Sequence, residues 1–149
     1  MRMSERLQTA TRLFLDTASV IYFVEKHPHF ADLVRVAFDR LDEGSLSAVT
    51  SPVTLSECLV LPYRIGRPDA AQAFIDVIVY GDNVTFAPID QAAAERAAEL
   101  RTRYNMSLPD AFQAAVAMAA GCDAFLTNDA TFKRVAEINV IVLGEMEPG

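Results

Sequence analysis

The apolar runs of this chain are short, and each gives way to a residue that opens a helix. Leu13-Phe14-Leu15 is followed at once by Asp16, Leu46 to Thr50 by Ser51-Pro52, and Phe125-Leu126-Thr127-Asn128 by Asp129. Runs this short suit strands buried on both faces rather than helices. Between them the apolar spacing becomes helical, as at Leu33, Val34, Ala37, Phe38 and Leu41, with Gly44 placed to close that helix. Alternation of this kind predicts a parallel α/β sheet with helices on both faces.

Applied along the chain, the same reading gives a helix over Thr17 to Glu25 and another starting at Ser51-Pro52, with proline in the first helical position. Pro62 is expected to kink or end the second of these. Gly66-Arg67-Pro68 reads as a turn, Asp69 to Tyr80 as a helix and Val84 to Ala87 as a strand. Asp90 caps a helix that Asn105 ends, and Ser107 opens an alanine-rich helix that closes at Gly121. Ala124 to Leu126 is a strand, Ala130 to Ala136 a short helix, and Val140 to Leu143 the last strand. Residues 1–12 are polar and read as a loose N-terminal lead-in. At 149 residues the expectation is one α/β domain, with a mostly parallel sheet of about four or five short strands and helices on both faces.

Thirteen basic against twenty acidic residues give a net charge of −7, the wrong sign for a protein that coats nucleic acid by charge alone. Any nucleic-acid binding then needs a local basic rim or a bound cation. No stretch approaches the roughly 18–20 apolar residues of a membrane span, and the N-terminus lacks the apolar core of a secretory signal. Cys58 and Cys122 stand alone and far apart, which fits free thiols in a reducing cytoplasm.

Phosphate-binding glycine loops and the G-x-S-x-G elbow are absent. His27 and His29 flank Pro28 in an expected turn, and only two lysines occur, so histidine and Schiff-base chemistry lack support. Acids remain. Asp16 and Asp129 follow strands, Glu57 lies about a turn into the helix after the second strand, and Asp110 opens the alanine-rich helix. Ligands of a doubly wound sheet bind at the carboxyl ends of its strands. Four carboxylates there make an all-oxygen site for Mg²⁺ or Mn²⁺. Each acid also has a plain helix-capping explanation. Thr54-x-x-Glu57 has capping-box spacing, Ser107-x-x-Asp110 is close to it, and Asp16 and Asp129 suit N-caps. Asp90, a cap with no assigned function, is the contrast.

The acid-bearing segments resemble the four motifs of the PIN-domain family. Phe14 to Tyr22 is similar to its opening motif, Thr54 to Leu59 to its glutamate motif, Leu108 to Ala115 to its third, and Phe125 to Phe132 to its fourth. The likeness runs from about Leu13 to Leu143, and the compact size is most similar to VapC-type toxins of bacterial toxin–antitoxin pairs. This resemblance implies a Mg²⁺- or Mn²⁺-dependent ribonuclease with an RNA substrate and a small antitoxin partner. Asp16 and Asp110 are expected as direct ligands, Asp129 completes the set, and Glu57 holds the attacking water or a second ion. Thr17, Thr127 and Asn128 are expected to orient these carboxylates from behind. Ala18 departs from the family, which often has Asn or Ser there, and Ser19 is the candidate to supply the missing hydrogen bond.

Arg64, Arg67, Arg101, Arg103, Lys133 and Arg134 are the candidates for attracting phosphate, against the plain reading of solvated helix faces, where Glu99 and Arg103 have ion-pair spacing. Tyr22, Phe23, Phe74, Ile75, Ile78 and Val79 form either core or a homodimer face. Two other readings stay open: a non-catalytic binding module of the same fold, and a receiver-like Mg²⁺-binding phosphoacceptor domain. The second wants a lysine after a late strand, whereas Lys133 falls inside the last short helix.

Overall fold

The computed structural model describes residues 1–148. Five strands, β1 (Arg12–Leu15), β2 (Ser47–Thr50), β3 (Val84–Phe86), β4 (Ala124–Thr127) and β5 (Val140–Val142), form one sheet in the order β3-β2-β1-β4-β5. All neighbours are parallel, as the alternation predicts. Seven helices connect or precede them: α1 (Met3–Arg6), α2 (Thr17–Val24), α3 (Ala31–Glu43), α4 (Pro52–Arg64), α5 (Pro68–Ile78), α6 (Gln91–Tyr104) and α7 (Leu108–Ala119). The short helix expected over Ala130 to Ala136 is a 3₁₀ turn over Ala130–Arg134.

Because successive strand residues face opposite ways, the three-residue run of β1 feeds two cores. Leu13 and Leu15 join Val20, Leu33, Leu41, Phe74 and Ile78 on one side of the sheet. Phe14 stacks on Phe125 of β4, ring centres 4.9 Å apart, among the alanines of α6 and α7 on the other. Phe74 and Ile78, considered for a dimer face, are core residues. The chain winds outward from β1 through β2 to β3, then returns to add β4 and β5 on the other flank. The β1–β4 seam is therefore the topological switch point, where Leu15 lies opposite Leu126. Crevices of such sheets open there.

Two expectations are corrected. The lead-in over residues 1–12 is ordered: α1 buries Met3 and Leu7 completely, and Met3 N–H donates to the Glu147 carbonyl at 3.1 Å. Its end is also pinned, since Asp123 accepts hydrogen bonds from Thr11 and Arg12. Of the two outcomes expected at Pro62, a kink or an end, the end does not occur there, because the helix continues to Arg64. Proline there lacks the N–H that would bond the Cys58 carbonyl, and the helix runs only two residues beyond it. Among the described residues no helix is long and apolar enough to cross a membrane.

Leu7→Ala tests the lead-in. A buried leucine truncated to alanine costs about 2–5 kcal/mol, read as a shift of the urea midpoint. A loose segment would give no shift.

Candidate active site

Each acid is positioned by the backbone feature that also explains its place in the sequence. Asp16 caps α2, its Oδ1 accepting from Ser19 N–H at 3.0 Å and from the Ser19 hydroxyl at 2.9 Å. Ser19 thus makes the bond that Ala18 cannot. The Thr127 hydroxyl also donates to Asp16 and accepts from Asp129 N–H at 3.0 Å, linking the acids at the ends of β1 and β4. Asp129 caps the 3₁₀ turn, accepting from Thr131 N–H at 2.9 Å and its hydroxyl at 2.7 Å. Asp110 sits in the first turn of α7, where Ser107 is the cap and accepts from Asp110 N–H at 3.3 Å. Glu57 accepts from the Thr17 hydroxyl at 2.6 Å.

All four carboxylates line one cleft of about 280 Å³, together with Thr17, Gln113 and the apolar Ala18, Ile21 and Phe132. Among the described residues no lysine, arginine or histidine lines it. Asp90 caps α6 through Ala93 N–H and lies outside the cleft. Capping and cleft-lining are therefore compatible for Asp16 and Asp129, and only the second sets them apart from Asp90.

Electrostatics follow from burial without a counter-charge. Asp16 is 7% exposed, and desolvation pushes its carboxyl up to about 6 despite the bonds from Thr127 and Ser19. Asp110 is also raised, first by burial and then by the nearby Asp129 and Glu57. The donor set is carboxylate and hydroxyl oxygen, which suits a hard cation and no soft one. Among the described residues no three such groups are yet drawn together closely enough to grip an ion. The cleft is lined by acids without being a closed coordination shell.

Three sequence expectations meet a different geometry. Thr54 and Glu57 form no capping box, because Ser51 caps α4 and the Thr54 hydroxyl donates to the Leu15 carbonyl at 3.3 Å. Among the described residues Asn128 bonds no carboxylate: its amide donates to the Tyr22 hydroxyl at 3.1 Å and accepts from Gly144 N–H at 2.8 Å, tying α2 to the C-terminal segment. Arg103 pairs with Glu137 at 2.9 Å rather than with Glu99. Lys133 pairs with Glu145 and does not line the cleft, which removes the lysine that a receiver-like site requires. Cys58 and Cys122 have thiols pushed up to about 12 by burial, so neither is a nucleophile at neutral pH. Gln113 was not singled out from sequence. The available signal was a lone amide on a face of alanines, one turn after Asp110.

Five parallel strands with an acid-lined cleft at the switch point define an α/β domain with a carboxylate crevice. The model of the PIN domain matches residues 13–138, and the chain belongs to that family. Solved structures show the same fold at low identity. The VapBC2 complex of Rickettsia felis, bound to a promoter DNA fragment, is 18% identical over 89% of this chain and 98% of its own, with TM-score 0.70. DNA-bound VapBC of Salmonella typhimurium is 19% identical over 89% and 98%, with TM-score 0.69. VapC20 of Mycobacterium tuberculosis, described as a toxin cleaving the sarcin–ricin loop, is 19% identical over 83% and 95%, with TM-score 0.68. No curated protein gives a significant match.

The raised Asp16 makes a signed prediction for metal-free protein. Between its unfolded value of 3.8 and its folded value of about 6, the folded state holds more protons. Stability therefore falls as pH rises through that window, and the loss persists above it. The shift corresponds to about 3 kcal/mol. Asp16→Asn removes this slope and should exceed the wild type in stability at pH 7 by up to that amount. Urea unfolding of both proteins from pH 4 to 8 checks it, and parallel curves would refute the burial argument.

Proposed function

We propose that this chain is a divalent-metal-dependent endoribonuclease and the toxin of a toxin–antitoxin pair acting in the cytoplasm. The observation that carries the reading is one cleft with four carboxylates and no basic side chain. Asp16 and Asp110 would hold Mg²⁺ or Mn²⁺ directly, with Asp129 completing the set and Glu57 reaching for the attacking water or a second ion. When bound, the cation supplies positive charge against the phosphate and makes water more acidic. The chain's own residues supply the rest. Thr17 fixes the direction of Glu57, Ser19 and Thr127 hold Asp16, and Thr131 holds Asp129. Ala18, Ile21 and Phe132 give the cleft apolar walls that limit bulk water.

RNA as the substrate is supported by the likeness to VapC20, described as a toxin cleaving the sarcin–ricin loop. An antitoxin partner is supported by the likeness to VapBC complexes and to a toxin–antitoxin complex of Klebsiella pneumoniae. A small antitoxin would silence the cleft most economically by placing an arginine or lysine where the cation's charge would sit. For a homodimer the face is the end of α4, where Val60, Leu61, Tyr63 and Ile65 are each at least half exposed.

Asp110→Asn should cut Mn²⁺-dependent RNA cleavage by about a hundredfold or more. It should leave the metal-free protein as stable as wild type or more so, because a raised carboxyl is replaced by a neutral amide. Asp90→Asn, altering a cap outside the cleft, should leave cleavage unchanged. Full activity in Asp110→Asn would remove that residue from the site. The paired substitution Leu61→Asp and Tyr63→Asp should convert a sedimenting dimer to monomer, and an unchanged sedimentation coefficient would discard the α4 face.

A further inference from the structure

Gln113 is a buried amide on the face of α7 that carries Ala111, Ala114, Ala115, Val116 and Ala117. Burying an amide costs free energy unless its hydrogen bonds are made. These are made, and they run in one direction. Ser51 Oγ accepts from Val53 N–H at 3.2 Å and Thr54 N–H at 3.3 Å, and its own hydrogen goes to Gln113 Oε1. Gln113 Nε2 donates to Thr54 Oγ1 at 2.7 Å, and the Thr54 hydroxyl donates onward to the Leu15 carbonyl at 3.3 Å. Each hydroxyl has one hydrogen, so this order fixes which end of the amide meets which neighbour. Ser51, Thr54 and Gln113 are all buried, where a broken link leaves an unpaid polar group.

The chain of bonds touches every acid-bearing element except β4. Leu15 directly precedes Asp16, Thr54 lies one turn before Glu57, and Gln113 lies one turn after Asp110. α7 packs chiefly on α6, and α4 chiefly on α5. The amide is thus a polar tie between two helices that otherwise belong to different pairs. We infer that Gln113 is a positioning residue which, with Ser51 and Thr54, sets the spacing of Asp16, Glu57 and Asp110 and thereby the affinity of the cleft for a divalent cation. This rests on the metal-dependent reading above. Small divalent cations tolerate little error in ligand distance, and loss of groups that support ligands typically costs 10–100-fold in affinity.

The test is Mn²⁺ titration calorimetry on the full chain freed of metal, with thermal melting and amide hydrogen exchange measured alongside. Gln113→Met keeps length and volume while removing both polar atoms, and Thr54→Val removes one hydroxyl that does not line the cleft. Both should weaken Mn²⁺ binding by about tenfold or more at unchanged stoichiometry, and should speed exchange in the first turn of α7. Thr54→Ser keeps the hydroxyl and should retain wild-type affinity. If Gln113→Met does not fold, Thr54→Val decides. Wild-type affinity in the folded variants, even with a lowered Tm, overturns the positioning role while leaving the nuclease reading intact. Equal loss in Thr54→Ser assigns the effect to packing and overturns it too. A wild type that binds no Mn²⁺ overturns both readings.

Discussion

The burial of the Asp16 carboxylate at the β1–β4 seam is the constraint from which the rest of the site follows. A carboxylate 7% exposed, with no basic side chain in its cleft, is held by neutral donors alone. Those donors come from the start of its own helix, through Ser19, and from the neighbouring strand, through Thr127. They soften the desolvation cost without cancelling it, which is why the carboxyl still stands near 6. Winding the sheet outward in both directions from β1 places this unbalanced group where the crevice opens. The fold thereby sacrifices some stability at one position for a concentration of negative charge in a defined place.

Around that group the polar contacts form a layer rather than a set of independent caps. Thr127 joins Asp16 to Asp129, Thr17 joins the start of α2 to Glu57, and Gln113 joins α7 to α4 and β1. Below this layer the packing is apolar on both faces of the sheet, with Leu13 and Leu15 on one side and Phe14 on the other. Interior packing of this density transmits small shifts. The acids are positioned by the same alternation that makes β1 a strand.

How much of this was legible in the sequence depended on whether the deciding interaction was local. Strand-then-acid junctions such as Leu15-Asp16 are local, so the parallel α/β order, the helix starts at Ser51 and Ser107 and the left-handed closures at Gly44 and Asn105 could all be read. Non-local partners were invisible. Asn128 sits beside Asp129 in sequence, yet its amide bonds Tyr22 and Gly144 across the fold. Thr54 has capping-box spacing to Glu57, yet Ser51 takes the cap and frees Thr54 to reach Leu15. Met3 and Leu7 are two apolar residues in a polar stretch, too few to show a period, and their burial depends on α3 and the C-terminal segment. Phe74 and Ile78 looked like surplus surface only while the depth of the α2–α3–α5 core was unknown.

The acidic balance of the chain bounds its partners less than the net charge suggests. Several of its exposed cations are engaged, Arg67 with Asp69, Arg103 with Glu137 and Lys133 with Glu145. Exposed pairs of this kind are worth only about 0–1 kcal/mol each. A polyanion presenting many phosphates at once can exchange with them at little cost, and every exchange releases counterions to the solvent. What the −7 charge does oppose is unselective binding driven by long-range attraction, because the net field has the same sign as a polyanion. Any affinity for a phosphate backbone would then have to be generated locally, and Arg134 lies two residues along the chain from Phe132 of the cleft wall. On the nuclease reading proposed above, such an arrangement would select a phosphodiester by its position at the cleft rather than by bulk charge.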